Sequence, residues 1–199
     1  MHSALMLFLG LAAATGGDGA GRTDPPPDIS SAASPLLPKL CVDEPNAGRG
    51  VLRCAGLVGT DVFLGGADAR AVALGTPVFQ ADPPGRSVLG RSVTWRILEG
   101  RPIAGIVGYE LPEGSEGGTR YLVVIKPGRD ARPGCVVGVL RQIPGDGLEA
   151  AASYADRRAV SFRCGTDAPS LMGSASSQAG QALAAWVEQL SASSNQPAR

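Results

Sequence analysis

The hydrophobic pattern changes its period near residue 146, and this change limits the folds open to the chain. Across 92–98 apolar and polar residues alternate, which predicts a half-buried β-strand. Further runs predict strands at 103–111, 121–125 and 135–140. Across 147–162 apolar residues recur at helical spacing, behind Asp146 and Glu149, which form a capping-box-like start. The sequence therefore predicts an α+β fold, in which an antiparallel β-meander sheet is covered on one face by a helix at about 147–162.

The N-terminal segment predicts export from the cytoplasm. Its apolar run from Ala4 to Ala14 is shorter than the roughly 20 residues of a membrane-spanning helix, and Ala12 and Ala14 fit a signal-peptidase site. We therefore predict a signal peptide at 1–14, a periplasmic or secreted location, and no stable membrane span after its removal. The alternative is a segment that is retained as an anchor. The predicted organisation continues with a Gly/Pro-rich linker at 15–39, a single α+β domain at 40–169 and a Ser/Ala-rich tail at 170–199.

Four cysteines form an even set, which in an exported chain favours disulfides over a metal site. Four cysteines allow three pairings, and element lengths favour one of them. A strand that starts at Cys135 and a helix over about 147–162 cover similar distances, roughly 20 Å, so the helix returns Cys164 to Cys135. Cys41 and Cys54 then pair by elimination.

Composition excludes several function classes. The one histidine, His2, lies within the predicted signal peptide, so histidine-dependent nucleophilic catalysis and histidine-ligated zinc have no support in the mature chain. Eighteen basic and eighteen acidic residues balance, so we expect no nucleic-acid binding. The sequence predicts no cofactor and no metal site.

Two residue pairs are candidates for ligand binding. Asp68 and Arg70 share a face of an extended segment and could bind a polar ligand, although a structural ion pair is the alternative. Trp95 beside Arg96 could provide an aromatic platform for a sugar or peptide, although Trp95 shares a face with apolar neighbours and suits a core position.

Acidic residues raise an enzymatic alternative. Glu110, Glu113 and Glu116 cluster around a loop at 112–118, and paired carboxylates hydrolyse glycosides when they are held at a fixed separation. Together with Asp61 and Asp68 they define a second hypothesis, a carboxylate-dependent hydrolase acting on envelope polysaccharide. It requires two buried acidic residues that face one cleft.

The C-terminal tail contains a second amphipathic segment at 178–190. Ala179, Leu183, Trp186, Val187 and Leu190 recur at helical spacing. This helix either packs on the uncovered sheet face or recruits a partner. The Ser/Ala/Gly spacer at 173–177 favours a mobile helix, and Leu183, Trp186 and Leu190 are its interaction candidates.

Several short motifs, taken in order, carry a resemblance to a known group of proteins. They lie at 52–57, 61–64, 68–70, 90–96, 100–104, 122–124 and 151–164. Over about 41–169 the chain resembles a group of uncharacterised small exported proteins of high-GC Gram-negative bacteria. The resemblance implies an exported, disulfide-containing domain and assigns no catalytic residue. The hypothesis from the sequence is a non-catalytic envelope module that binds an envelope protein or ligand of unknown identity.

Overall fold

The computed structural model describes residues 28–57, 59–112, 118–142 and 145–194, which form ten strands and two α-helices. The strands are β1 (Ile29–Pro35), β2 (Val42–Asp43), β3 (Leu52–Leu57), β4 (Thr60–Gly65), β5 (Ala71–Leu74), β6 (Val88–Leu98), β7 (Arg101–Pro112), β8 (Gly118–Lys126), β9 (Cys135–Arg141) and β10 (Ser170–Met172). The helices are α1 (Gly147–Arg158) and α2 (Gln178–Ser194). The predicted signal peptide at 1–14 lies outside the described residues.

The strands form two sheets, and the predicted α+β fold is confirmed. The larger sheet has the order β1-β6-β7-β8-β9-β10, and the smaller has the order β2-β3-β4-β5. From β6 to β9 each strand runs antiparallel to the next, which is the predicted meander. The short strand β10 instead runs parallel to β9.

Helix α1 covers one face of the six-stranded sheet, as the pattern predicts. Its small residues Ala151 and Ala155 are fully buried, so the helix lies close to the strands. The Tyr154 hydroxyl donates to the Val137 carbonyl at 3.0 Å. The helix ends at Arg158 rather than near residue 162, and Asp146 occupies the N-cap without a side-chain capping bond.

The larger hydrophobic core lies on the face of the six-stranded sheet opposite α1, and the C-terminal helix packs into it. The expectation of a mobile helix is therefore wrong. Leu183, Trp186 and Leu190 are buried, and the Trp186 indole N–H donates to the Ala81 carbonyl at 3.1 Å. On this face, β3 and β5 of the four-stranded sheet contact β1 and β8, while α2 contacts β9 and β10. The apolar stripe of α2 therefore covers sheet surface that the smaller sheet leaves open.

The predicted linker also contributes to the fold, because β1 lies within 15–39. This strand pairs antiparallel with β6 along its whole length, and Leu36 beyond it is buried. Pro35 ends the strand at the sheet edge, where a missing N–H is tolerated. The folded unit therefore begins earlier than residue 40, and through β10 and α2 it extends past residue 169.

Both predicted disulfides are present. Cys41 bonds to Cys54 across a sequence separation of 13, and Cys135 bonds to Cys164 across a separation of 29. Two disulfides in a domain of this size indicate folding in an oxidising compartment outside the cytoplasm. None of the helices in the described ranges has the length and apolar character needed to cross a membrane.

Candidate functional site

Asp68 and Arg70 form a weak contact rather than a paired site. The Asp68 side chain is 89% exposed, and its Oδ2 atom lies 4.0 Å from Arg70 Nε. Arg70 donates instead to the carbonyls of Ala67 and Gly85, at 3.0 and 2.5 Å. The guanidinium thus ties together two backbone segments, which matches the structural alternative.

Trp95 and Arg96 point to opposite faces of β6. Trp95 is fully buried, and its indole N–H donates to Ser34 Oγ at 2.9 Å, so it belongs to the core. Arg96 donates from Nε and Nη2 to the two carboxylate oxygens of Asp156 on α1, both at 2.7 Å. This hydrogen bonding raises the pKa of Arg96 against the opposing effect of burial. The pair fastens α1 to the sheet and leaves no aromatic platform at this position.

The carboxylates of the hydrolase hypothesis are not buried where the structure describes them. Asp61 lies 3.6 Å from Arg53, and Glu110 lies 3.5 Å from Arg120; both carboxylates are nearly half exposed. Glu113 and Glu116 lie outside the described residues. Since a catalytic acid needs burial to raise its pKa, these positions offer no observation in favour of hydrolysis.

A different region has the form of a ligand site. An open groove of about 940 Å³ lies at one end of the six-stranded sheet. We name it the cationic groove, and it is lined by residues 78–80, 102–103, 126–127, 129–130, 132–135, 159–160 and 162–165. Its volume falls within the range of roughly 300–1,000 Å³ typical of small-molecule sites.

The lining of the groove carries an excess of positive charge. The lining contains the cations Lys126, Arg129, Arg132 and Arg163 and one carboxylate, that of Asp130, although the whole chain has balanced charge. Low-dielectric walls of a cleft focus the field of such a cluster and raise the local concentration of anions. The groove is therefore an electropositive concavity on a protein whose net charge is zero.

A tight turn places two of these arginines directly opposite each other. Arg129 and Arg132 exchange backbone hydrogen bonds of 3.0 and 2.8 Å across Asp130 and Ala131. The two central residues have φ of 50° and 63°, as a type I′ turn requires. Like charges directly opposite each other lower the stability of a strand pair, and a bound anion would reduce this repulsion.

The turn is held on both sides. The Gly128 N–H donates to the Leu74 carbonyl at 2.8 Å, and the Arg129 guanidinium donates to the Pro102 carbonyl. A Cβ on Gly128 would lie 2.4 Å from Thr76 Oγ1, so only glycine allows this close approach. The backbone of the turn and the Arg129 side chain are thus fixed relative to the sheet before any ligand arrives.

The left-handed backbone at Ala131 gives a first testable prediction. Ala131→Gly should raise the free energy of unfolding by about 1 kcal/mol, because glycine adopts positive φ without the Cβ clash. The same change at an exposed position in the middle of a helix, Ala185→Gly in α2, should lower it by roughly 0.5–1 kcal/mol. Urea unfolding of both variants provides the comparison. A loss of stability in Ala131→Gly would contradict the described turn.

Lys126 connects the groove to the segment that follows α1. Its Nζ atom donates to the carbonyls of Val160 and Phe162, at 3.0 and 2.7 Å. Burial and the nearby charge of Arg129 lower the pKa of Lys126. Of the three ammonium donors, two are engaged in these bonds, so one is left to serve a ligand.

Exposed apolar side chains lie beside the cations. Val78 and Val160 are 50% and 53% exposed, and Phe79 and Ile103 complete this apolar wall. The Cys135–Cys164 disulfide forms part of the same lining. The groove therefore combines an apolar wall with convergent hydrogen-bond donors, as small-molecule sites do.

Hydrophobic periodicity and motif spacing do not reveal this site, although part of its signal is visible in the sequence. Lys126, Arg129 and Arg132 fall within seven residues of the sequence, between the predicted strands at 121–125 and 135–140. Val160 and Arg163 belong to a segment distant in sequence, and the packing of α1, the Cys135–Cys164 bond and the bonds of Lys126 bring them to the turn.

No protein-family model, curated protein or solved structure matches this chain.

Proposed function

We propose that the protein is an exported, non-catalytic binding module of the cell envelope, and that the cationic groove is its ligand site. The observation that supports this most directly is the meeting of exposed valines and cationic donors in one groove of about 940 Å³. The apolar segment at 4–14, the two disulfides and the resemblance over about 41–169 support a periplasmic or secreted location.

Binding suits the groove better than catalysis does. Its charged side chains are mainly donors, and the donors that have partners bond to backbone carbonyls or, for Arg163, to Asp167 at 3.0 Å. Such an arrangement recognises acceptor groups and holds them, without a general base beside a nucleophile.

The site is also rigid enough to bind without large rearrangement. The Cys135–Cys164 bond joins the start of β9 to the segment after α1, and Lys126 bonds to that same segment. A preformed site loses less conformational entropy on binding than a flexible one. The segments that form the groove are thus joined to one another before a ligand enters.

An uncharged fluorophore tests whether the groove binds apolar ligands. N-phenyl-1-naphthylamine should bind saturably, with increased fluorescence in the apolar wall. Val160→Asn should weaken its binding about five-fold, because contact with a half-exposed valine contributes about 1 kcal/mol. Val88→Asn is the matched control, since this valine is 60% exposed and lies outside the groove lining. Absence of saturable binding, or equal weakening in both variants, would refute the groove as the ligand site.

A further inference from the structure

We propose that the cationic groove selects a monomeric amphipathic anion, a small molecule with one oxyanion head and an apolar body. This inference depends on the proposed function of the groove and adds its ligand class. The head lies between Arg129 and Arg132 with Lys126 beside it, and the body lies along the apolar wall of Val78 and Val160.

The geometry of the turn determines the head group. Residues that exchange both backbone hydrogen bonds lie about 5.5 Å apart at Cα, and their side chains leave the turn on the same face, so both guanidinium groups can reach one bound anion. Each guanidinium presents a planar fork of donors that matches the oxygens of phosphate, sulfonate or carboxylate. One oxyanion between them relieves the repulsion of two adjacent cations.

The other charges limit the head to a single group. Arg163 is paired with Asp167, with Nη2 3.0 Å from Oδ1, and Asp130 stands at the tip of the same turn. Lys126 adds its one remaining donor. Among the described residues of the groove, the positive charge without an ion-pair partner is thus concentrated at Arg129, Arg132 and Lys126. We expect this small cluster to bind one phosphate or carboxylate group rather than a polyanion.

The apolar wall and the groove volume determine the rest of the ligand. Val78 and Val160 stay half exposed in the free protein, and an apolar body would remove them from water. A volume of about 940 Å³ suits a small molecule. A purely inorganic anion would leave this wall unused.

The decisive experiment compares two fluorophores that share one aromatic skeleton. 8-Anilinonaphthalene-1-sulfonate adds a sulfonate to N-phenyl-1-naphthylamine. With the full chain, we expect the sulfonate to bind at least about ten-fold more tightly than its uncharged analogue, as charge-assisted bonds to arginine imply. Arg132→Gln should remove most of this preference and leave binding of the uncharged probe within about two-fold. Arg132 is exposed, so this change should not disturb folding.

Arg91→Gln is the matched control, because this exposed arginine on β6 lies outside the groove lining. It should leave both affinities unchanged. Thermal unfolding of each variant verifies that the fold persists. Equal affinities for the two probes in the wild-type chain would overturn the inference and leave the proposed function standing. Failure of both probes to bind would overturn both.

Competition and cosedimentation experiments distinguish a free amphipathic anion from inorganic phosphate and from the headgroups of a membrane surface. Dodecyl phosphate below its micellar concentration should displace the sulfonate probe, whereas inorganic phosphate should be at least about ten-fold less effective, since it lacks an apolar body. Equal displacement by inorganic phosphate would overturn the amphipathic requirement. Cosedimentation with phosphatidylglycerol vesicles that is lost in Arg132→Gln, with unchanged binding of the sulfonate probe, would assign the arginines to a membrane surface instead.

Discussion

Trp186→Ala is expected to lower the free energy of unfolding by about 3–5 kcal/mol, the range for removing a buried aromatic side chain. Trp186 is buried in the larger core, and its indole N–H donates to the Ala81 carbonyl at 3.1 Å. Its ring also meets Tyr121 edge-on, with centroids 6.2 Å apart. The variant loses the apolar contact and leaves the partly buried Ala81 carbonyl without its donor.

Urea unfolding followed by circular dichroism measures this effect. Glu188→Ala is the control on the same helix, because Glu188 is exposed and its removal should change stability by less than about 0.5 kcal/mol. A loss below about 1 kcal/mol for Trp186→Ala would show that α2 is undocked in solution. It would also restore the interpretation of α2 as a mobile interaction helix.

Replacing Cys135 and Cys164 together by alanine is expected to lower stability by about 2–5 kcal/mol, as for other native disulfides of exported domains. The bond closes a separation of 29 residues, against 13 for Cys41 and Cys54. If a disulfide stabilises by restricting the unfolded chain, the longer loop adds about 0.7 kcal/mol more to the free energy of unfolding than the shorter loop does. The double change avoids a free thiol that could form unwanted disulfides.

The matched double variant Cys41→Ala with Cys54→Ala distinguishes the two bonds. Both variants lose stability, but only the Cys135–Cys164 bond lines the cationic groove, so only its removal should weaken binding of the naphthylamine probe. Non-reducing urea unfolding and fluorescence titration give the two readouts. A larger loss of stability from the Cys41–Cys54 variant would contradict this account.

Much of the architecture follows from hydrophobic periodicity. The meander and α1 were predicted because alternation and helical spacing each identify one buried face. The strand β1 escaped prediction because its Ser and Ala residues carry no such alternation and its place depends on pairing with β6. The stripe on α2 indicated an apolar face, but the surface that buries it depends on how much of the sheet the smaller sheet leaves open.

The candidate site was less predictable for a related reason. A type I′ turn is usually signalled by Asn-Gly or Asp-Gly, whereas this one is built from Asp130 and Ala131. Its left-handed backbone is set by the bonds of Gly128 and Arg129 to distant carbonyls. Local sequence does not contain that information.

The position of β1 affects how the protein can be handled in binding measurements. Ile29 pairs with Leu98 beside the start of β7, at the end of the sheet where the groove opens. Three strand spacings, about 14 Å, separate β1 from β8, so attachment to a surface through residues before 29 would hold the groove near that surface. The chain has two lysines, Lys39 and Lys126, and amine-directed coupling would modify the groove itself.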